Sequence, residues 1–315
     1  MLHINEFLVN KKIKSKIGQN TNILYSPDNK NELKNIIREL LSKNIVNLNC
    51  IDVSKITNFS YLFEEVSISK EQQESLDISE WNMSNAKYVP CMFRGCRWIN
   101  PDLSNWDVSN IINTHGMFID CESFEGKGLE NWNTVSFKDI GSMFVNCQNM
   151  NADLGNWNTS NVTNIEYMFN SCYKFEGKGL ENWDVSKVDS MKMTFYKCNN
   201  FNGNIGNWNV SNVTNLVDCF TDCHIFNQNL GKWNVNKMKT MKFAFKNCTI
   251  FKGNGLNRWK LPRIPHIDGM FQNCISLYVD LSSWNCSHIK STYLYVLDGC
   301  DKMHSNKNFY PKFNK

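Results

Sequence analysis

Proline is scarce in this 315-residue chain, with six in all, and acidic side chains are missing altogether from Cys223 to Ile267. With so little proline, turns must be made by asparagine, glycine and serine. No stretch of about 18 apolar residues occurs, which excludes a membrane-spanning helix. The opening segment MLHINEFLVNKKIKSK lacks an apolar run of about seven residues and a small-residue cleavage site, and no early cysteine stands ready for a lipid. The expectation is therefore a soluble protein, cytoplasmic or virion-associated, rather than one at the cell surface. No CxxC occurs, and the six histidines are dispersed, His224 beside Cys223 being the only close pair, so no metal site is expected. A nucleophile elbow, a phosphate loop and paired carboxylates are equally missing, so neither an enzyme nor a cofactor is expected. A catalytic site would have to use non-repeated positions such as His115, His266 or His288. The formal net charge of +4 is too small to imply a nucleic-acid partner by itself.

What is present is arranged with a period. Trp81, Trp106, Trp132, Trp157, Trp183, Trp208, Trp233, Trp259 and Trp284 follow one another at 25 or 26 residues, and only Trp98 is out of phase. Phe93, Phe118, Phe144, Phe169, Phe195, Phe220, Phe245 and Phe271 each lie 12 residues after a Trp, with a Cys three residues later. Ile51 and Phe63 form an upstream copy, and Leu297 with Cys300 a degraded downstream one. A repeat of 20 to 50 residues is the signature of stacked units that cannot bury their apolar faces alone.

Within one unit, Val162, Ile165, Met168, Phe169 and Cys172 have the spacing of one face of a short helix, with Ser160 as its N-cap. Around Trp157, Asn156 and Asn158 alternate with the indole as in a short strand. The expected fold is an α/β, right-handed LRR-like solenoid with a short strand and a short helix in each 25- or 26-residue coil, bent so that the strands line the concave side. Residues 51–300 form the solenoid of about nine coils. Residues 1–50 form a helical cap, with Leu33, Ile36, Ile37, Leu40 and Leu41 as its apolar stripe and Ser26 and Pro27 as its start signals. Residues 301–315 are left as a tail. All length variation in the regular part lies between Phe and the next Trp, where FEGKGLENW occurs twice, at 124–132 and 175–183.

Segments such as LGNWNTSNVTNIEYMFNSCYKF at 154–175 and IGNWNVSNVTNLVDCFTDCHIF at 205–226 resemble the BspA-like leucine-rich-repeat proteins, and the likeness runs from about Ile51 to Cys300. That family is best known as bacterial surface lipoproteins, with relatives in large DNA viruses. The resemblance implies an LRR-like solenoid and a role in protein–protein contact or adhesion.

Nine of the 13 cysteines share one phase of the repeat. An odd-numbered ladder of equivalent neighbours has no pairing scheme, so these read as small buried residues rather than disulfides. Identical Trp, Phe and Met positions in every coil read as core. Two features remain for function. Residues flanking each Trp point outward, and Asn156, Asn158, Asn207 and Asn209 form either a structural ladder between coils or a polar binding stripe. The acid-free stretch carries Lys232, Lys237, Lys239, Lys242, Lys246, Arg258, Lys260 and Arg263, either as a solvated basic face or as a surface for an anionic partner. A protein partner is the first expectation. A nucleic acid or other polyanion held by the basic coils is the alternative, and a surface adhesin a third.

Overall fold

The protein is seen in a computed structural model, which describes residues 23–64, 66, 68–263, 266–287 and 295–313; the opening segment and His288 lie outside the described residues. Each repeat forms one coil that is hydrogen-bonded to the coil before and the coil after. The nine repeating Trp residues and the Phe ladder are all buried in one continuous core. Phenylalanine rings of successive coils sit 5.1–5.8 Å apart. On the other side of the core, five Trp–Trp pairs sit 6.0–6.3 Å apart and within 7° of parallel.

The polar atoms carried into this core are satisfied from coil to coil, as burial demands. Each of the nine indole N–H groups donates to a backbone carbonyl of the preceding coil, at 2.7–3.2 Å. Eight thiols, from Cys121 to Cys300, donate in the same way to the carbonyl of the preceding coil's phenylalanine, at 2.9–3.1 Å. All 13 cysteines are free. Burial pushes the thiols up, Cys96 to about 12 and the fully buried ones well above the ordinary thiol value.

The strand-plus-helix reading of the coil is overturned. The segment from Ile165 to Cys172 is a chain of tight turns: Met168, Asn170 and Cys172 donate backwards by three residues, while the intervening Tyr167, Phe169 and Ser171 donate to the next coil at Lys192, Thr194 and Tyr196. An α-helix would close every one of these N–H groups on itself, and packed helices stand about 8–10 Å apart, twice the spacing of paired strands. The turn chain keeps coils close by holding Tyr167 and Ser171 in the left-handed region, at φ 59° and 62°. Ser160 is not an N-cap. Asn158 is the acceptor, taking both the Ser160 N–H at 3.1 Å and its hydroxyl at 2.7 Å.

No strand runs through Trp157 either. Between the regular coils, parallel pairing among the described residues consists of single bridges seven residues after the Trp, such as Asn113↔Asp139, Asp139↔Asn164 and Asn215↔Thr240. The outward–inward alternation around Trp157 nevertheless holds, with Asn156 and Asn158 exposed. With turns in place of helices, both sides of the core have similar spacing, so the helix–strand mismatch behind the expected concavity is absent.

The difference between 25- and 26-residue coils is also explained. The longer ones close with a 3₁₀ turn, at Leu129–Asn131, Leu180–Asn182 and Leu256–Arg258, each preceded by a left-handed glycine. At Gly179 an added Cβ would lie 2.1 Å from the Gly155 nitrogen, so only glycine fits against the coil below.

At the N-terminal side, helix α1 (Lys30–Ser42) packs Leu33, Ile37, Leu40 and Leu41 into the core. Its N-cap is Asn29, which accepts from the Glu32 N–H at 3.0 Å, in place of the expected Ser26 and Pro27. A short helix α2 (Lys70–Glu74) lengthens the first repeat. The off-phase Trp98 is half-buried beside it, with the Lys70 and Arg97 cations 5.8 and 5.7 Å from its ring. The C-terminal residues do not trail away. After helix α3 (Asp301–His304), strand β2 (Lys312–Phe313) pairs in parallel with β1 (Asn285–Cys286), and Leu281 donates to the Phe309 carbonyl at 2.8 Å.

Candidate partner-binding surface

The side of each coil that carries the Trp is a set of ladders, one rung per coil. Residues just before the Trp cross-link coils: Asn156 donates to the Glu130 carbonyl and Asn182 to the Gly155 carbonyl, both at 3.1 Å. Residues just after it close their own turns, Asn158 on Ser160 and Asn209 on Ser211. The asparagine stripe is thus built into the coil-to-coil bonding. In the coils of Trp233 and Trp259 the rung before the Trp is Lys232 and Arg258 instead, and Lys232 donates to Asn207 Oδ1 at 2.8 Å.

The eight expected cations do not form one cluster. Lys232, Lys237, Lys239, Arg258, Lys260 and Arg263 are exposed within the six residues around each Trp, Lys237 reaching Asn212 Oδ1 at 2.7 Å. Lys242 and Lys246 sit half-buried on the turn side, Lys242 paired with Asp268 at 3.0 Å and Lys246 over the Phe243 ring at 5.2 Å. Lys239, Arg258, Lys260 and Arg263 make no ion pair among the described residues.

Three clefts open between neighbouring glycine loops, and their linings differ in charge. The first holds Glu125 and Glu130 with Lys127, but Lys127 is drawn 2.6 Å from Asp102, whose carboxyl it holds down at about 2. The second holds Asp153, Glu176 and Glu181 with Lys178, the lysine paired with Glu176 at 3.1 Å. The third, of about 210 Å³, is lined by Lys232 and Arg258 with Asn204, Asn207, Gln228 and Asn229, and contains no carboxylate. Gly231 lies under the arginine: a Cβ there would be 3.2 Å from Arg258 Cδ.

Two elements escaped the sequence. The amides of Asn204, Gln228 and Asn229 belong to the Gly/Asn loops and reach the third cleft only because the loops stack. Ile225, Ile250 and Ile275 are each more than 40% exposed and follow one another at 25-residue spacing. Their periodicity was the available signal, but isoleucine in a repeat reads as core. Asn204 lines both the second and third clefts, and Ile225 lines the second, so the ridge and the basic cleft are contiguous.

His115 and Asp139 form the other polar pair of note. His115 Nδ1 is 3.2 Å from Asp139 Oδ1, and this hydrogen bond raises the imidazole above its ordinary value. Asp139 also accepts from Gly141 N and Asn164 Nδ2, so it is a structural acceptor between coils. His266 lies on the bridge ladder with Thr240, far along the stack from His115, and no shared site forms. Among the described residues no group of three His, Cys, Asp or Glu is placed to hold a metal ion, and no helix is long and apolar enough to cross a membrane.

Five overlapping matches to the family described as "Mycoplasma protein of unknown function, DUF285" cover residues 31–127, 65–178, 120–216, 172–284 and 195–309. The chain belongs to this repeat family. Among solved structures it is similar to a leucine-rich repeat protein from Bacteroides ovatus, at 12% identity over 86% of this chain and 88% of that one, with a TM-score of 0.20. It is also similar to a chain of a TLR13–ssRNA13 complex, at 11% identity and a TM-score of 0.24, with 91% of this chain covered but only 45% of that one. No curated protein matches the sequence.

Proposed function

We propose that the chain is a non-enzymatic scaffold, wound as a right-handed LRR-like solenoid of BspA-like type, which holds a protein partner against its basic C-terminal coils. The observation that carries this reading is the replacement of the cross-linking asparagine rung by Lys232 and Arg258, beside Lys239, Lys260 and Arg263, on a surface with no carboxylate to neutralise them. Elsewhere the same positions serve the fold. Here Lys232 keeps a bond to Asn207, but no carboxylate meets the charge of the rung. The exposed Ile225, Ile250 and Ile275 favour a protein over a nucleic acid, because a phosphate backbone offers no apolar counterpart while a protein segment offers both apolar and acidic side chains. The cations around Trp233 and Trp259 also span only two coils, roughly 10 Å along the stack, which is short for a strand of phosphates. The helix α1 and the returning β2 act as the covers of the two ends, so binding is directed to the sides of the stack.

The test is affinity capture with the full chain and with Lys232→Glu/Arg258→Glu/Lys260→Glu, repeated at about 50 and 200 mM salt. The expected result is loss of specific partners from the triple variant and only moderate loss with salt in the parent. A captured set identical for the two proteins overturns the assignment of the surface. A salt-induced loss of about a thousandfold would assign the basic coils to nucleic acid instead.

A further inference from the structure

The third cleft has an uneven supply of hydrogen-bonding groups. Two of its acceptors are engaged within the protein: Asn207 Oδ1 takes the Lys232 ammonium at 2.8 Å, and Asn229 Oδ1 takes the Gly231 N–H at 2.9 Å, while Asn204 Oδ1 and Gln228 Oε1 at its edge accept from no group among the described residues. Those two donors also fix which atom of each amide is the oxygen. The amide hydrogens that remain, on Asn207 Nδ2 and Asn229 Nδ2, have no acceptor among the described residues. Asn207 differs in this from the rungs Asn156 and Asn182, which hand the equivalent hydrogens to the coil below, and Asn229 stands four residues before Trp233, where other coils carry Asp102, Asp153 or Asp280. The Arg258 guanidinium is likewise without a hydrogen bond or ion pair, and Lys232 has two further N–H groups. Two cations one coil apart, two open amides and no carboxylate make a seat that suits an anion with several oxygens.

We propose that this cleft seats a phosphate monoester carried on a protein partner. The argument from stoichiometry is direct: a phosphate monoester near pH 7 carries almost two negative charges and three terminal oxygens, matching two cations and the flanking amides. A carboxylate brings one charge and two oxygens, and a phosphodiester likewise brings one charge. Arg258 supplies the planar fork that binds two oxygens side by side, and Gly231 beneath it leaves room for its stem. This inference rests on reading the basic coils as the binding surface, but it concerns a small-anion seat that is measurable without any partner.

The experiment titrates inorganic phosphate into the full chain at constant ionic strength and follows the backbone amides of Gly206 and Gly231 and the side-chain amides of Asn207 and Asn229 by NMR. Saturable shifts confined to these groups are expected, with dimethyl phosphate and acetate weaker by roughly tenfold. Affinity should fall as pH drops below neutrality, where the inorganic phosphate dianion takes up a proton. Lys232→Gln and Arg258→Gln should each weaken binding about tenfold, Arg258→Lys should recover only part of it, and Lys252→Gln should change nothing. All of these side chains are exposed, so the fold is retained. Shifts spread over every lysine of the basic coils, equal binding of dimethyl phosphate, or tighter binding of an oligothymidylate would overturn the proposal. Phosphate binding with an unchanged captured set would leave the seat standing and remove the proposed scaffold surface; dependence of capture on these residues without phosphate binding would do the reverse.

Discussion

The second and third clefts have the same architecture and opposite chemistry. Around Glu176, Glu181 and Asp153 the rung before the Trp is Asn182, bonded to Gly155, and the cleft is acidic. Three coils along, the corresponding rung is Arg258 over Gly231, and the cleft is basic. The glycine-cornered loop, the stacked indoles and the thiol donors are unchanged between them. The charge of a cleft in such a molecule is therefore altered by substituting a rung, without touching the frame that holds it.

The largest effect should come from breaking the frame on both sides of the comparison. Trp183→Ala and Trp259→Ala should each cost about 3–5 kcal/mol, since each removes a buried indole and its hydrogen bond to a carbonyl. Denaturant unfolding checks this. A difference between the two variants well beyond the usual spread would show that the acidic and basic regions do not share one frame. A smaller effect is expected from transplanting the basic rungs. Asn156→Lys with Asn182→Arg, combined with Asp153→Asn, Glu176→Gln and Glu181→Gln, should give the second cleft a phosphate affinity within about tenfold of the third. The transplant should lower stability by roughly 1–2 kcal/mol, because two inter-coil hydrogen bonds are lost. Phosphate titration and urea unfolding of the same protein measure both.

The smallest effect concerns pH. The raised imidazole of His115 stabilises the stack fully below the unfolded value of 6.5 and loses that contribution as pH rises through its higher folded value. Asp139 is held below its ordinary value, mainly by its hydrogen bonds working against burial, and its contribution is lost in acid. His115→Gln should therefore flatten the stability profile above about pH 6.5 and shrink the acid limb without abolishing it, because Gly141 and Asn164 still hydrogen-bond Asp139. Unchanged curvature above neutrality would deny His115 any part in it.

The repeat, the core ladders and the break at Lys232 and Arg258 were all legible in the sequence, because each depends on residue identity at a fixed phase. The coil's internal conformation was not. Val162, Ile165, Met168, Phe169 and Cys172 satisfy a helical period, yet inward positions in a chain of three-residue turns recur at nearly the same spacing. The residues that decide the matter, Tyr167 and Ser171, carry no glycine to announce a left-handed backbone. The cleft was only half legible for a different reason. Its lysine and arginine stand beside tryptophans, but Asn204 and Asn229 matter through the stacking of loops about 25 residues apart and through which of their atoms the fold already occupies.

The thiol ladder has a consequence for reactivity. A cysteine attacks disulfides, metals and electrophiles as its thiolate, and here eight cysteines keep their protons engaged with a carbonyl one coil away, in surroundings that oppose ionisation. Those eight sulfurs are thereby withheld from oxidants and alkylating reagents while the coils remain stacked, whereas Cys50, outside the ladder, is only half-buried. Each of those eight sulfurs becomes a nucleophile only when its own junction parts, so the order in which they react would record where the stack comes undone.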